Sequence, residues 1–533
     1  MSRVSGVILG VLLAAPAFAA APFDGNSWWS TVKVLADDSY AGRDTGSIGE
    51  REAQAYIVAR LVQLRLAPAG SDGYYQTVAL RTRALIETDS SLALVRDGKE
   101  QPLVFGEDAL LSTRFPLART VDAPLAFVGY GLDIPQRQYS DFNDIDVNGK
   151  VAVFIAGSPA EVPSTIAAHA QLRAERCKAL RKAGAIGFVT LQNPASVEMS
   201  WARVALNRLH PSMDLDSVEF DESAGCQLAV VFNHERGQIL FEGSGHSLAE
   251  IAALATERKP LPHFTLPASI RAKAHTVSAQ VLSHNVIAKI EGSDPALRDS
   301  YVVLSAHIDH LGVGESIDGT PIYNGAMDNG SGSALLLDLA RALSAGHAKP
   351  KRSILFLWVT AEEKGLLGSR YYAEHPTVPA SALVADLNVD MFLPIIPLKI
   401  LTVYGLRDSD LGDRVARVAH DLGLRVQPDP APERNVFIRS DQYSFMKVGV
   451  PSLMLDVGAE RGSAEAKVLS EWHAKRYHSP SDDSRQPVNL RSAAVYEDVV
   501  QRLLLSVAND PARPKWKPDS AFRQFAPAAS VAR

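Results

Sequence analysis

The chain has 533 residues, of which 46% are hydrophobic and 21% charged, and a formal net charge of −6. That length exceeds one ordinary core and argues for two or three domains, and the composition excludes a disordered chain. The mildly acidic balance gives no footing for nucleic acid or an anionic membrane as partner.

The first predicted element is a processing signal over residues 1–19. Arg3 precedes an apolar run from Val4 to about Ala17, and Ala17-Phe18-Ala19 has the small-x-small pattern of a cleavage site. No later run is apolar for long enough to span a bilayer. The expectation is an exported, soluble chain beginning near Ala20, periplasmic or extracellular. Export permits a bridge between the two cysteines, Cys177 and Cys226, but a pair of buried free thiols fits the sequence equally well.

From Phe23 to Arg114 the pattern predicts a short helix at Trp28–Leu35, a turn-rich AGRDTGSIGE and a helix over Glu50–Leu66 with apolar residues at helical steps. GYYQTVALRT then reads as a strand. Residues 121–267 change style, to strand-helix-strand units that suggest a compact α/β insert. Its histidines (His169, His210, His234, His246 and His263) stand in no ordered series with acids, so the insert reads as non-catalytic. From Ser269 strands and helices alternate, which predicts a mixed, mostly parallel doubly wound sheet with helices on both faces. The main domain is therefore discontinuous, over residues 20–120 and 268–510. A polar, Pro-punctuated tail (511–533) is expected to pack loosely.

In such sheets, sites form at the carboxyl ends of strands. Strand YVVLSA runs into His307-Ile308-Asp309-His310, where His307 and Asp309 share a face and Asp309 is placed to hold the second nitrogen of His307. Asp328 lies in a Gly-rich turn before a helix. Strand ILFLWVT ends at Glu362-Glu363, strand ALVADLNV ends at Asp390, and His478 sits in the loop RYHSPSDD. Singly each has a structural reading, since an Asp in such a turn is more often a turn former or helix cap. Together they match His/carboxylate coordination of zinc, with ligands for two ions sharing a carboxylate. Adjacent like charges at a strand end also call for a compensating cation.

The ordered motifs AHIDHLG, GAMDNGSGSA, TAEEKGLLGS, NVDM and RYHSPSD resemble those of the co-catalytic di-zinc aminopeptidases, relatives of glutamate carboxypeptidase and of the non-enzymatic transferrin receptor. FVGYGLD and DVNGKVAVF within the insert resemble a protease-associated domain. The resemblance implies a zinc exopeptidase fold. It also implies one zinc on His307 and Asp390, another on Glu363 and His478, and Asp328 bridging both. Glu362 would be the general base, and Tyr477 matches a position that donates to the oxyanion. The implied activity is removal of N-terminal residues from peptides. The alternatives are a carboxypeptidase or dipeptidase of the same family, a single-zinc glutaminyl cyclase, or a silent receptor-like binding protein. The chain departs at FIRSDQYSF, where Gln442 replaces the usual His and puts the pocket roles of Arg439, Ser440 and Asp441 in question. Met327 replaces a polar residue before Asp328.

Overall fold

The largest sheet is centred on strands that are buried on both faces. The computed structural model describes residues 23 and 25–526 apart from 195, 196, 198, 223, 224, 347 and 348, so the expected signal peptide lies outside the described residues. In chain order the strands are β1 (Tyr75–Leu85), β2 (Ser212–Leu215), β3 (Thr276–Ile290), β4 (Tyr301–His307), β5 (Ser353–Val359), β6 (Leu383–Asn388), β7 (Ile400–Tyr404), β8 (Arg425–Gln427) and β9 (Ser452–Gly458). They pair in the order β2-β1-β3-β5-β4-β6-β9-β7-β8, with the short strand Ala67–Pro68 added to β3. The central strands β5, β4, β6 and β9 run parallel, while β3 and β7 flank them antiparallel.

Alternate residues of β5 serve two cores. Ile354, Phe356 and Trp358 join the core under helices α1 (Gly25–Leu35), α2 (Ile48–Gln63), α3 (Gly332–Ala345) and α5 (Leu490–Ala508), with α4 (Ala464–Lys475) between the last two in sequence. Leu355, Leu357 and Val359 pack on the other face against Tyr372 and Phe445. Burial of each such apolar side chain contributes about 1.5–3 kcal/mol; apart from Ser305 of β4, which donates to Asp386 of β6 (2.8 Å), strands β4, β5 and β6 carry polar residues mainly at their ends. That is where the acids and histidines begin.

The second sheet has eight strands and its own core around Phe127, Val153, Val189, Val230 and Ile270. It reaches further than the expected 121–267: strands Ser91–Arg96 and Lys99–Leu103 join it, the former antiparallel to His263–Lys273. Conversely β2, inside the expected insert, pairs with β1 of the larger sheet. These pairings join segments more than a hundred residues apart, and neither short strand carries a pattern that names its partner. Cys177 and Cys226 are joined in a disulfide within this second body, with Cα atoms 6.1 Å apart.

One other expectation changes. The tail through residue 526 is packed: Phe522 is buried against Phe437 and Tyr443, Trp516 Nε1 donates to the Gly449 carbonyl (3.1 Å), and Arg352 donates to the Pro511 carbonyl (2.8 Å). Isolated aromatic anchors do this without periodicity. The stretch before His478 contains helix α4, capped by Ser463 and burying only Trp472, so it shows no apolar stripe to read. Among the described residues no helix is long and apolar enough to cross a membrane.

Candidate metal centre

His307 is the last residue of β4, Glu362 and Glu363 follow β5, and Asp390 follows β6. The three strand ends are neighbours in the sheet, and the turn before α3 brings Asp328 over them. His307 Nε2 lies 3.2 Å from Asp390 Oδ1, 3.3 Å from Asp328 Oδ1 and 4.0 Å from Glu362 Oε2. The other Asp328 oxygen faces away: Oδ2 is 3.3 Å from His478 Nε2, which is itself 3.2 Å from Glu363 Oε2. His310 completes this side, its Nδ1 2.7 Å from Glu363 Oε1. Two groups of ligand atoms result, His307-Asp328-Asp390 and His310-Asp328-Glu363, each within 4.8 Å. The five ligands named from sequence therefore meet, and His310 joins them.

The backbone around these groups is unusual. Ala361, Met391 and His478 all adopt positive φ (55°, 48° and 52°), a conformation non-glycine residues rarely take and one that clusters at functional sites. Buried polar groups hold it. Asp309 differs from its expected role: its carboxylate is 3.9 Å from His307 Nδ1, and the backbone carbonyl of Asp309 meets that nitrogen instead, at 3.1 Å. The Asp309 carboxylate accepts from the Glu362 and Glu363 amides (3.1 and 3.3 Å) and from Thr45 Oγ1 (3.0 Å), bracing the two glutamates.

Sequence reasoning passed over three further braces. The buried guanidinium of Arg43 donates to the carbonyls of Ile308 (2.9 Å), Asn324 (2.7 Å) and Gly325 (2.9 Å), tying together the segments that carry His307 and Asp328. Asp482 accepts from the amides of Met327 and Asp328, both at 3.0 Å. Asn388 donates to Ser440 Oγ (2.6 Å), which donates to Asp390 Oδ2 (2.7 Å). Gln442, at the departure from the family pattern, accepts from Asn388 (3.0 Å) and donates to the Phe437 carbonyl (2.7 Å), so it is a buried, satisfied link. Only the turn-rich AGRDTGSIGE and the acid in HSPSDD hinted at Arg43 and Asp482.

The electrostatics are those of a crowded anionic site. Burial, helped by Glu363 and Asp390 and opposed by His307, holds Glu362 well above the usual carboxylate range. Burial acts the same way on Glu363, but His478 and His310 overcome it and hold that carboxyl well below the range. The histidines answer in kind: against burial, Glu362 and Asp390 hold His307 well above its ordinary value, and Glu363 and Asp328 raise His478 to about 9. The excess of carboxylates over imidazoles, all hard or borderline donors, fits a borderline dication such as zinc.

Beside Glu363 and His478 opens a cavity of about 400 Å³. Its far wall comes from the chain around the second sheet and includes Arg114, Arg203 and Arg208. Arg203 donates to the His478 carbonyl (2.9 Å) and so fixes that loop. Tyr477 stacks on His478 with ring centroids 3.9 Å apart and receives a hydrogen bond from Arg439 (2.9 Å). Burial keeps the Tyr477 phenol protonated.

Residues 285–504, which carry every residue of the two ligand groups, match the model of peptidase family M28. Among similar proteins, leupeptin-inactivating enzyme 1 of Streptomyces exfoliatus is 30% identical over 213 residues, 38% of this chain and 44% of that protein. Aminopeptidase Y of Saccharomyces cerevisiae is 28% identical over 38% of this chain and 35% of its own length. Leucine aminopeptidase 2 of Trichophyton equinum is 29% identical over 45% and 49%. The chain thus spans less than half the length of each of these relatives. In fold, the aminopeptidase from Aneurinibacillus sp. strain AM-1 aligns with a TM-score of 0.54 at 19% identity, covering 93% of this chain and 96% of that one. That likeness takes in both sheets.

Proposed function

We propose that the chain is an exported zinc-dependent aminopeptidase with two metal positions, one on His307, Asp328 and Asp390 and the other on Asp328, Glu363 and His478. One observation carries the reading: Asp328 turns Oδ1 to the first group and Oδ2 to the second, each 3.3 Å from a histidine nitrogen. A carboxylate divided in this way suits a bridge between two cations. When bound, the metal pair supplies Lewis acidity, lowering the pKa of a water and polarising a peptide carbonyl. The chain supplies the rest. Glu362 belongs to neither ligand group and its high proton affinity lets it take a proton from the nucleophile and return it to the leaving amine. Tyr477, protonated and held by Arg439, would donate to the developing oxyanion. Export is supported by the Ala17-Phe18-Ala19 pattern and by the disulfide, which persists only in oxidising compartments.

Digestion of a peptide library by the purified protein, with and without chelator, tests the reading. N-terminal trimming that chelator abolishes and zinc restores supports it; a protein with less than about one metal per chain and no hydrolysis sinks it in favour of a receptor-like binding protein. A second reading has its own observation. Arg114 makes no ion pair or hydrogen bond through its guanidinium among the described residues and lines the cavity that also borders Glu363 and His478. A free guanidinium there suits a substrate carboxylate, as in short peptides cleaved by a dipeptidase or carboxypeptidase. Hydrolysis of N-blocked peptides in the same library separates this from aminopeptidase action.

A further inference from the structure

We infer that His310 is a protein ligand of the second metal position, alongside Asp328, Glu363 and His478, and that this position is the more firmly held of the two. The inference rests on the di-metal reading above. His310 is fully buried, and neither of its ring nitrogens has a hydrogen-bond partner; nor does Glu363 Oε1. Leaving a buried imidazole unpaired is costly, and such groups are rare unless something else takes them up. Yet His310 Nδ1 and Glu363 Oε1 lie 2.7 Å apart. Both residues belong, with Asp328, to one group whose ligand atoms all lie within 4.8 Å of one another. Asp328 Oδ2, 3.9 Å from His310 Nδ1, and His478 Nε2, 3.2 Å from Glu363, approach the same space.

The fold holds the ring in place. The His310 amide donates to the Arg43 carbonyl (3.1 Å), and Gly325 opposite has no side chain because a Cβ there would sit 2.6 Å from the ring. The two positions then differ in kind. His307, Asp328 and Asp390 leave a coordination place free for a reacting oxygen, whereas four protein donors close a zinc sphere. The second metal is accordingly the anchoring one.

Metal content of the holoenzyme, measured after dialysis against a graded series of chelator, reads this directly. The wild type should lose one equivalent readily and hold the other. In His310→Gln and His310→Ala the resistant equivalent should leave at about tenfold or more lower chelator. The cobalt-substituted variants should show a shifted, weaker visible spectrum. Zinc-edge X-ray absorption of the wild type needs no variant and should count three imidazoles per pair of ions, not two. Two imidazoles per pair, or variants that keep wild-type chelator resistance and cobalt spectrum, overturn the assignment of His310 alone. A wild type that takes up no metal overturns the di-metal reading with it.

Discussion

The two sheets are similar objects used differently. Both contain parallel strands with apolar residues on both faces: β4, β5 and β6 in one, and Val151–Ile155, Gly187–Leu191 and Leu228–Phe232 in the other. The first three end at or just before His307, Glu362-Glu363 and Asp390. Those of the second sheet lead into Ala156, Gln192 and Asn233. The lesson is that the architecture offers a crevice in either body and the residues at the strand ends decide which becomes a site. The cost of that choice is visible in the supports. The first body gathers buried charged braces around its strand ends (Arg43, Glu50, Asp309 and Asp482), while the second has fewer, Asp141 and Arg176, beside its apolar core and one disulfide.

The sharpest break of this contrast is Glu362→Gln. Hydrolysis should fall by about 10²–10⁴-fold or more, with metal content by mass spectrometry unchanged; wild-type kcat would remove Glu362 from the base role. Next comes the second body. Replacing Cys177 and Cys226 by Ala releases a loop whose ends are 49 residues apart, worth up to about 4 kcal/mol in the chain-entropy account. Calorimetry should show the transition of that body lowered while metal content of the folded protein stays at the wild-type level.

The braces give a pH test. Burial, with Asp309 adding to it, raises Glu50 from an ordinary 4.5 to about 8, although Ser283, Thr360 and the Gly46 amide donate to it. The folded chain therefore binds more protons than the unfolded chain between pH 4.5 and about 8. Stability from this group is full below pH 4.5 and is lost as pH rises through about 8. Thermal unfolding from pH 5 to 9 should show that decline in the wild type and a flatter profile in Glu50→Gln. The smallest effect is expected at the far wall of the cavity: Arg114→Ala should leave aminoacyl-nitroanilide hydrolysis intact and raise KM for peptides with a free carboxylate by about tenfold. Equal KM values would exclude Arg114 from carboxylate binding.

Much of this was legible residue by residue. Two-sided apolar runs that stop at acids and histidines mark buried parallel strands and their ends, because burial disfavours polar groups earlier unless, like Ser305 and Asp386, they pair with one another. His307, Glu363 and Asp390 were readable for that reason, whereas Asp328 in its turn and His478 in its loop were readable from the motifs around them. The bounds of the second sheet were not, since Ser91–Leu103 finds its partner at His263–Lys273 only in three dimensions.

The sequence by itself determined the fold class, the order of the motifs and which side chains carry donor atoms, since these follow from local periodicity and chemistry. Only the tertiary structure decided that His310 faces Glu363, that Asp309 braces the glutamates more than His307, and that Arg43 and Asp482 hold the ligand loops. The Arg43 and Asp482 contacts are side-chain-to-backbone bonds across 155 to 282 residues. No local pattern encodes such a bond, because its partner is chosen by where the chain returns.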